Sequence, residues 1–347
     1  MERTSLMDFV EEILAGKVFA ISKMISLVER RDPKAFNAMK QLYGKCGRAH
    51  IIGVTGPPGA GKSCLVAALV RQFRKKGLSV GVLAVDPSSP FTGGAVLGDR
   101  ARMEEFSSDP EVFIRSLATR GSVGGLSEAV NGAVDIFDAA GKDIILIETV
   151  GVGQNEIDIV NLAHTVVLAL VPGYGDWLQA MKAGIMEVGD ILVVNKADQP
   201  GAGSLLNELC LMPGKTMARD ILDNADVRME TWRVPVGLTT AIKGEGTADL
   251  ASIISMHFQF LKIGNGLSEK NRERRINQFL DLLSKRMREE FVRHYQTDPA
   301  LRGWIEKIKN LKLDPYQASE QVIDFIVEAR EGKIRNKRPT NKKENNQ

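Results

Sequence analysis

The sequence predicts an α/β protein with a doubly wound, mostly parallel sheet, and two observations lead to this prediction. Apolar runs alternate with helix-like segments from residue 51 to residue 262. Runs such as Ile144–Ile147, which follows Asp143, are continuously apolar rather than alternating, which is typical of strands covered by helices on both faces. In sheets of this kind, ligands bind at the carboxyl ends of the strands.

The predicted elements follow from this alternation and from the periodicity on either side of it. An amphipathic helix is expected within 8–30, ending near Asp32-Pro33, and a further helix over 34–43. The core strands are predicted at 51–55, 80–85, 112–116, 143–148, 165–171, 190–195 and 233–238. The core helices are predicted at 62–76, 99–107, 124–140, 155–161, 176–187, 203–222 and 246–262. Beyond residue 265 the apolar residues indicate three helices and no strand.

The sequence predicts four parts of the chain: a helical segment at 1–47, an α/β domain at 48–264, a helical arm at 265–331 and a basic disordered tail at 332–347. The arm repeats apolar residues at helical spacing, so its stripe must be buried either against its own core or against a second copy. Both arrangements stay open, and we expect a homodimer.

The composition is that of an ordinary globular protein, with 44% hydrophobic and 26% charged residues. No apolar run approaches the ~18 residues that a membrane span needs, and the first residues lack the pattern of a leader, so we expect a cytoplasmic protein without membrane contact. The net charge is +3, but the tail carries +5, which leaves no basic surface for nucleic acid elsewhere. Three separated cysteines predict neither a disulfide framework nor a thiolate metal site.

The most informative stretch follows the apolar run 51–54 and precedes a helix-like segment beginning at Cys64. It matches G-x-x-x-x-G-K-[ST] in full, and this strand–loop–helix context predicts a phosphate-binding loop. Its lysine is expected to reach the β- and γ-phosphates and its serine hydroxyl to bind Mg²⁺. The residues assigned to the nucleotide here are Gly56, Pro57, Pro58, Gly59, Ala60, Gly61, Lys62, Ser63 and Cys64.

A second motif, Asn195-Lys196-Ala197-Asp198, follows the strand that ends near residue 194. The Asp198 carboxylate would accept hydrogen bonds from N1–H and the exocyclic amine of guanine. Adenine offers no such donors, so its binding would leave the carboxylate unpaired at a cost of roughly 1–3 kcal/mol or more. We therefore predict GTP and GDP rather than ATP. Thr240 and Ala241 lie where a backbone N–H commonly meets guanine O6.

Acidic residues at predicted strand ends supply candidates for the Mg²⁺ and γ-phosphate side. Asp86 and Glu148 each follow a strand, and Asp99 is a further candidate beyond a loop of small residues. Glu148-Thr149-Val150-Gly151 is similar to a D-x-x-G switch with Glu in place of Asp, and Gly151 would bring an N–H to the γ-phosphate. The next residue, Val152, cannot orient water as the Gln of Ras-like proteins does, so slow intrinsic hydrolysis is expected.

Together these residues resemble the MeaB/ArgK-type GTPases, chaperones of adenosylcobalamin-dependent acyl-CoA mutases such as methylmalonyl-CoA mutase. The resemblance covers roughly residues 15–330 and is carried by the blocks DPSSPFTGGAVLGDRARM, FIRSLATRGSVGG, ETVGVGQNEIDIV, VPGYGD with LQAMKAGI, and NKAD. It implies that Lys62, Asp86, Asp99 and Glu148 surround the triphosphate and Mg²⁺. It also implies a switch that couples hydrolysis to the mutase through Asp176, Gln179 and Lys182, with Gln154 grouped among these switch residues. Trp177 departs from the usual polar residue of that segment.

The implied function is a GTPase that gates loading of the mutase with intact cofactor and removal of damaged cofactor, the cobalamin and acyl-CoA belonging to the mutase. A nickel-delivery maturation GTPase would share the core, but it should carry a Cys/His or His-rich motif that this sequence lacks. A transport-associated ATP-dependent kinase conflicts with the guanine-reading role of Asp198. A scaffold that binds GTP without hydrolysing it stays open at this point.

Overall fold

The computed structural model describes residues 6–86, 103–118, 128–149, 155–173, 185–223, 231–295 and 299–330. The strands are β1 His50–Thr55, β2 Val80–Asp86, β3 Val112–Ala118, β4 Ile144–Glu148, β5 Thr165–Leu170, β6 Ile191–Asn195, β7 Lys215–Met217 and β8 Val234–Thr239. They form one parallel sheet in the order β3-β2-β4-β1-β5-β6-β8-β7. The predicted doubly wound parallel sheet is therefore confirmed.

The helices are α1 Leu6–Leu14, α2 Val18–Glu29, α3 Pro33–Leu42, α4 Lys62–Lys75, α5 Glu128–Ala139, α6 Asn155–Leu162, α7 Ala202–Cys210, α8 Ala218–Asp223, α9 Thr247–Ile263, α10 Gly266–Tyr295, α11 Pro299–Lys309 and α12 Pro315–Arg330. Short 3₁₀ turns lie at Tyr43–Lys45 and Ile185–Glu187. Among the residues that the structure describes, no helix combines the length and apolar character needed to cross a bilayer.

Helices cover both faces of the sheet, because successive strand residues point to opposite sides. Ile51 of β1 belongs to a buried cluster with α2 and α5, whereas its neighbour Ile52 belongs to a second cluster with α4 and α9. All six residues of β1 are buried, as the continuous apolar runs predict. Strand β1 lies between β4 and β5, so the strand order reverses beside it and a crevice opens at its carboxyl end.

Two predicted helices are divided in the structure. The segment predicted as helix within 8–30 is two helices, α1 and α2, separated at Gly16, whose φ of 74° interrupts the first one. The helix predicted over 203–222 is wrong, because that segment contains α7, the short strand β7 and α8. Pro213 and Gly214, the latter at φ 76°, end the helical path and turn the chain onto the edge of the sheet.

Of the helix predicted over 99–107, the described residues Met103–Phe106 form a 3₁₀ turn, and of the helix predicted over 176–187 they form the turn Ile185–Glu187. The other helices lie within a few residues of their predicted bounds. Asp32 caps α3 by accepting the backbone N–H of Lys34 at 2.9 Å, with Pro33 at the first helical position.

The start of α10 is fixed to the core by buried polar contacts. The Arg274 guanidinium donates to Asp135 Oδ1 at 2.9 Å, and Gln278 Nε2 donates to Asp135 Oδ2 at 3.0 Å. One helical turn along α5, Asp138 accepts the backbone N–H groups of residues 47–49, which lead into β1. Because the Asp135–Arg274 pair is almost fully buried, removal of either partner would leave an unpaired charge.

The chain divides into two compact units, 1–278 and 279–347. The second unit contains most of α10 together with α11 and α12, and it has buried Leu301 and Ala318. The sequence-based boundaries at residues 47, 264 and 331 stay predictions.

Three histidines lie together at the amino-terminal edge of the sheet, opposite the crevice. His50 Nε2 and His257 Nδ1 both contact the Thr165 hydroxyl, at 2.7 and 2.9 Å. His164 Nδ1 accepts the Ile51 N–H, and its Nε2 lies 3.1 Å from Asn271 Oδ1. Burial lowers the pKa of His164 and of His257 to about 4, and it lowers the pKa of His50 well below its usual value.

These depressed pKa values predict a protein that loses stability in mild acid. The unfolded chain, with histidine pKa values near 6.5, binds protons that the folded chain excludes, so the stabilisation is present above pH 6.5 and is lost as the pH falls toward 4. Between pH 7 and pH 5 we expect His164 and His257 to remove about 2 kcal/mol each from the free energy of unfolding. Urea unfolding at pH 7, 6 and 5 measures this loss.

His164→Gln supplies the control, because glutamine does not titrate in this range. The substitution is expected to lower the free energy of unfolding at pH 7. It should also reduce the change in this free energy between pH 7 and pH 5 by the contribution of one histidine. An unchanged pH dependence would contradict the assignment.

Candidate functional site

The segment 56–63 joins the carboxyl end of β1 to the first turn of α4, so it lies at the crevice. Gly56 has φ 142°, and a Cβ there would lie 2.1 Å from the Ala169 carbonyl oxygen of β5. Gly61 has φ 81°, and a Cβ there would lie 2.5 Å from Asn195 Nδ2. Glycine is required at both positions because a side chain would collide with the neighbouring strand or loop.

Lys62 begins α4 and is 8% exposed. Its ammonium donates to the carbonyl oxygens of Gly56 at 2.8 Å and Pro57 at 3.1 Å, so it lies across the loop that precedes it. Backbone N–H groups at the start of α4 and the lysine charge thus face the same small volume. This arrangement is suited to a phosphate chain.

Ser63 and Glu148 bring the phosphate loop and β4 together. The Ser63 hydroxyl donates to Glu148 Oε1 at 2.5 Å, and both side chains are buried. The next residue, Thr149, donates its N–H to the Val54 carbonyl oxygen and its hydroxyl to Thr55 Oγ1 at 3.0 Å. The chain that leaves β4 is therefore held against the chain that enters the phosphate loop.

On the other side of the crevice, Asn195 ends β6 and is 2% exposed. Its Nδ2 donates to the Ala60 carbonyl oxygen at 2.8 Å, while its Oδ1 accepts the Thr239 hydroxyl and the Ala241 N–H, both at 3.1 Å. One amide thus connects the phosphate loop with the loop after β8.

Residues 196–199 turn away from β6 at Lys196, which has φ 57°. Asp198 is half exposed and forms an ion pair with Lys243, with 3.3 Å between Oδ2 and Nζ. Lys243 belongs to the turn after β8, where the Thr240 N–H donates to the Glu245 carbonyl oxygen. The N–H groups of Thr240 and Ala241 therefore both have partners within the chain, and their predicted contact with guanine O6 stays a prediction.

These groups surround a cavity of about 660 Å³ at the carboxyl edge of the sheet. Predicted site residues that line it are Pro58, Gly59, Gly61, Lys62, Ser63, Cys64, Glu148, Asn195, Lys196, Asp198, Thr240 and Ala241. The predicted residues Gly56, Pro57 and Ala60 belong to the same loop but do not line the cavity. The phosphate motif and the N-K-x-D motif, separated by about 130 residues, thus face one volume of a size suited to a ligand such as a nucleotide.

Several predicted residues lie outside the described part of the chain. Asp86 is the last residue of β2, but its side chain lies outside the described part of the structure. The others are Asp99, Gly151, Gln154, Asp176, Gln179 and Lys182.

The cavity also has lining residues that the sequence interpretation missed, among them Thr149, Gln199, Ile242 and Lys243. Thr149, Gln199 and Ile242 adjoin residues that were assigned, so extending each motif by one position would have found them. No spacing rule marks Lys243, because the length and direction of the turn after β8 decide whether it reaches the cavity.

A parallel sheet with a phosphate loop after its central strand and an N-K-x-D loop on the far side of the same cavity defines the class of P-loop GTPases. The family model described as "Methylmalonyl Co-A mutase-associated GTPase MeaB" matches residues 21–297, and the chain belongs to this family. Its relatives are named as GTPases, and the chain is a guanine-nucleotide-binding GTPase.

Three similar proteins illustrate the relationship. A protein of Pyrococcus horikoshii named as a GTPase is 45% identical over 320 residues, covering 92% of this chain and 98% of its own. The Escherichia coli protein named "GTPase ArgK" is 30% identical over 334 residues, covering 94% and 98%. A crystal structure titled "LAO/AO transport system kinase" has a TM-score of 0.65 at 25% identity and covers 94% of this chain and 99% of that one. The sequence-based resemblance is confirmed.

Proposed function

We propose that this chain is a chaperone of an adenosylcobalamin-dependent acyl-CoA mutase of the methylmalonyl-CoA mutase type. It gates loading of the mutase with intact cofactor and removal of damaged cofactor. The observation that carries the proposal is membership in a family whose description names mutase association, over 21–297, in a chain that retains a nucleotide cavity. The cobalamin and the acyl-CoA belong to the partner.

Within the cavity, the phosphate loop and the start of α4 would bind the phosphates by backbone N–H groups. Lys62 now donates to two carbonyl oxygens of its own loop, and it would turn its ammonium toward the β- and γ-phosphates. At the other end, Asp198 would accept the two guanine N–H groups, Lys196 would lie along the base, and Asn195 would hold both loops in place.

Mg²⁺ is the metal that we propose at the γ-phosphate side. Ser63 and Glu148 offer it oxygen atoms, the ligands that Mg²⁺ prefers, and their 2.5 Å contact places both at the phosphate loop. A hydroxyl that donates its proton to a carboxylate retains lone pairs for a metal, so this pairing fits a Mg²⁺ site. When bound, the ion would neutralise charge on the phosphate oxygens. Asp86 and Asp99 are proposed for the same side, and Gly151 for the γ-phosphate.

We further propose that hydrolysis is slow in the isolated chain and accelerates when the mutase reorders the switch segments. The support is the sequence: Val152 follows Gly151 and has no polar group to orient water. Gln154, Asp176, Gln179 and Lys182 are the proposed coupling residues. A GTP-binding scaffold without turnover is not consistent with relatives named as GTPases.

Affinity capture tests the proposal. The chain, loaded with a non-hydrolysable GTP analogue and Mg²⁺, is used to retain proteins from an extract of its source, and a cobalamin-dependent mutase is the expected partner. Asp198→Asn, which should not hold the analogue, is the matched control and should retain less mutase. Adding the recovered mutase should raise the single-turnover hydrolysis rate. Recovery of a nickel-enzyme accessory protein or a transport component in place of a mutase would contradict the proposal.

A homodimer formed through α10 is also proposed. Apolar side chains spaced along one stripe of this helix are 41–60% exposed: Ile276, Phe279, Leu280, Leu283 and Met287. A second copy would remove this stripe from water. Light scattering should give twice the chain mass, and Leu283→Asp with Met287→Asp should give the monomer mass. If the unsubstituted chain has the mass of a monomer in light scattering, the proposed dimer is excluded.

A further inference from the structure

We propose that Lys243 is a positioning residue for guanine, because it holds the Asp198 carboxylate in the orientation that reads the base. The inference rests on the proposed guanine-reading role of Asp198. Lys243 lies outside both sequence motifs, and it contributes to specificity through Asp198 rather than through the base.

The first argument is the ion pair itself. Lys243 Nζ lies 3.3 Å from Asp198 Oδ2, and the two side chains are 55% and 45% exposed at the cavity that both line. A carboxylate that points into water with no cation nearby samples several rotamers and binds water, which the base must then displace. An adjacent ammonium restricts those rotamers through its attraction for the carboxylate.

The pairing is compatible with a bound base. A carboxylate has about four lone-pair sites, and guanine would use two of them. Lys243 Nζ lies near only one oxygen, Oδ2, at 3.3 Å, so it can use at most one of these sites and leaves the others for guanine. Lys243 is therefore a neighbour of the base-reading group and not a competitor of guanine.

The second argument is that the backbone holds Lys243 in place. The Lys243 N–H donates to the Thr240 carbonyl oxygen at 2.9 Å, and Thr240 forms an antiparallel bridge with Glu245. The Thr247 hydroxyl closes the turn by donating to the Gly244 carbonyl oxygen at 2.7 Å. A Cβ at Gly246 would lie 2.1 Å from the Leu238 carbonyl oxygen, so this turn packs directly on β8.

The third argument is that the two loops are tied to each other. The Ala197 N–H, adjacent to Asp198, donates to the Thr239 carbonyl oxygen at 3.0 Å. The Ala241 N–H, two residues before Lys243, donates to Asn195 Oδ1 at 3.1 Å. These two bonds connect the ends of β6 and β8, which are neighbours in the sheet. Lys243 and Asp198 thus extend from two loops that are hydrogen-bonded to each other.

Lys243→Met tests the inference, because methionine keeps most of the stem and removes the charge. We expect GDP to bind about fivefold more weakly, which corresponds to the largest typical contribution of an exposed ion pair. The preference for GDP over IDP, which lacks the exocyclic amine, should also fall. A carboxylate that is free to rotate forms weaker hydrogen bonds with guanine N1–H and the amine. Titration calorimetry with Mg²⁺ measures both. Lys243→Arg should restore both values, and Lys75→Met, at the far end of α4, should change neither.

A double-mutant cycle separates this role from contact with the ribose or phosphates. In Asp198→Asn, which has no carboxylate to position, Lys243→Met should leave XDP affinity unchanged. An equal loss in both backgrounds, or an unchanged GDP/IDP preference, would overturn the inference. If Asp198→Asn itself leaves the base preference unchanged, the proposed role of Asp198 fails, and this inference fails with it. If Asp198→Asn acts as expected and Lys243→Met does nothing, only this inference fails.

Discussion

Asp198→Asn should reverse the base preference of the cavity, from guanine to xanthine. The asparagine loses one acceptor and gains an N–H donor, so it opposes the guanine amine but matches the xanthine 2-oxo group. The bond from the guanine amine to a charged acceptor is lost, at about 1.5–3 kcal/mol, and the bond from N1–H to a neutral oxygen is weaker by about 1 kcal/mol, which together predict about a hundredfold weaker binding of GDP. XDP should bind more tightly to the variant than GDP does.

The substitution is well suited to a binding measurement because Asp198 is half exposed and lies on a loop. Its replacement leaves no buried charge unpaired. Calorimetry with GDP, XDP and ADP in the presence of Mg²⁺ compares the two proteins directly. Asp281→Asn, an exposed carboxylate on α10, is the control and should retain the original preference. Equal affinity of the unmodified chain for ADP and GDP would refute the base-reading role.

Lys62→Ala should reduce the single-turnover rate of GTP hydrolysis by about 10²–10³-fold. This is the typical loss when one preorganised group that stabilises transition-state charge is removed. Lys62 is nearly buried at the phosphate loop, so no neighbouring solvent cation replaces its charge at the γ-phosphate. Nucleotide affinity should also fall, because in its proposed role the lysine would contact phosphates in the bound state as well as in the transition state.

Lys142→Ala is a matched control for this experiment. Lys142 is equally buried and its ammonium also donates to a backbone carbonyl oxygen, that of Glu111 at 3.0 Å, but it lies at the amino-terminal edge of the sheet. Any general cost of removing a buried lysine should therefore appear in both variants, whereas loss of hydrolysis should appear in Lys62→Ala alone. Similar hydrolysis rates in the two variants, with both folded by circular dichroism, would exclude the proposed role.

Much of the fold follows from local patterns. Seven of the strands were predicted because each is a short apolar run bounded by polar residues, and burial on both faces makes such runs continuous. β7 was missed because three residues carry no periodicity, and its existence depends on pairing with β8 at the sheet edge. The division of α7 from α8 could have been predicted from Pro213-Gly214, but the helical residues on either side concealed it.

The functional residues were likewise predicted only in part. Phosphate loops and N-K-x-D loops need particular residues at fixed spacing, so both are visible in the sequence. The histidine cluster was not predicted, because His50, His164 and His257 are separated by about a hundred residues each and meet through strand order. These three histidines have no metal-ligand spacing in the sequence, and in the structure each of the three has a hydrogen-bonding partner.

The sequence by itself determined the sheet class, the phosphate loop and the N-K-x-D motif, because each follows from short patterns along the chain and needs no knowledge of which distant residues meet. Tertiary structure decided which distant side chains meet. Ser63 contacts Glu148 because β4 is the neighbour of β1, and Lys243 reaches Asp198 because β6 and β8 are adjacent and the turn after β8 folds back over their ends. Strand order and turn direction are set by packing of the whole chain, which no short stretch of sequence specifies.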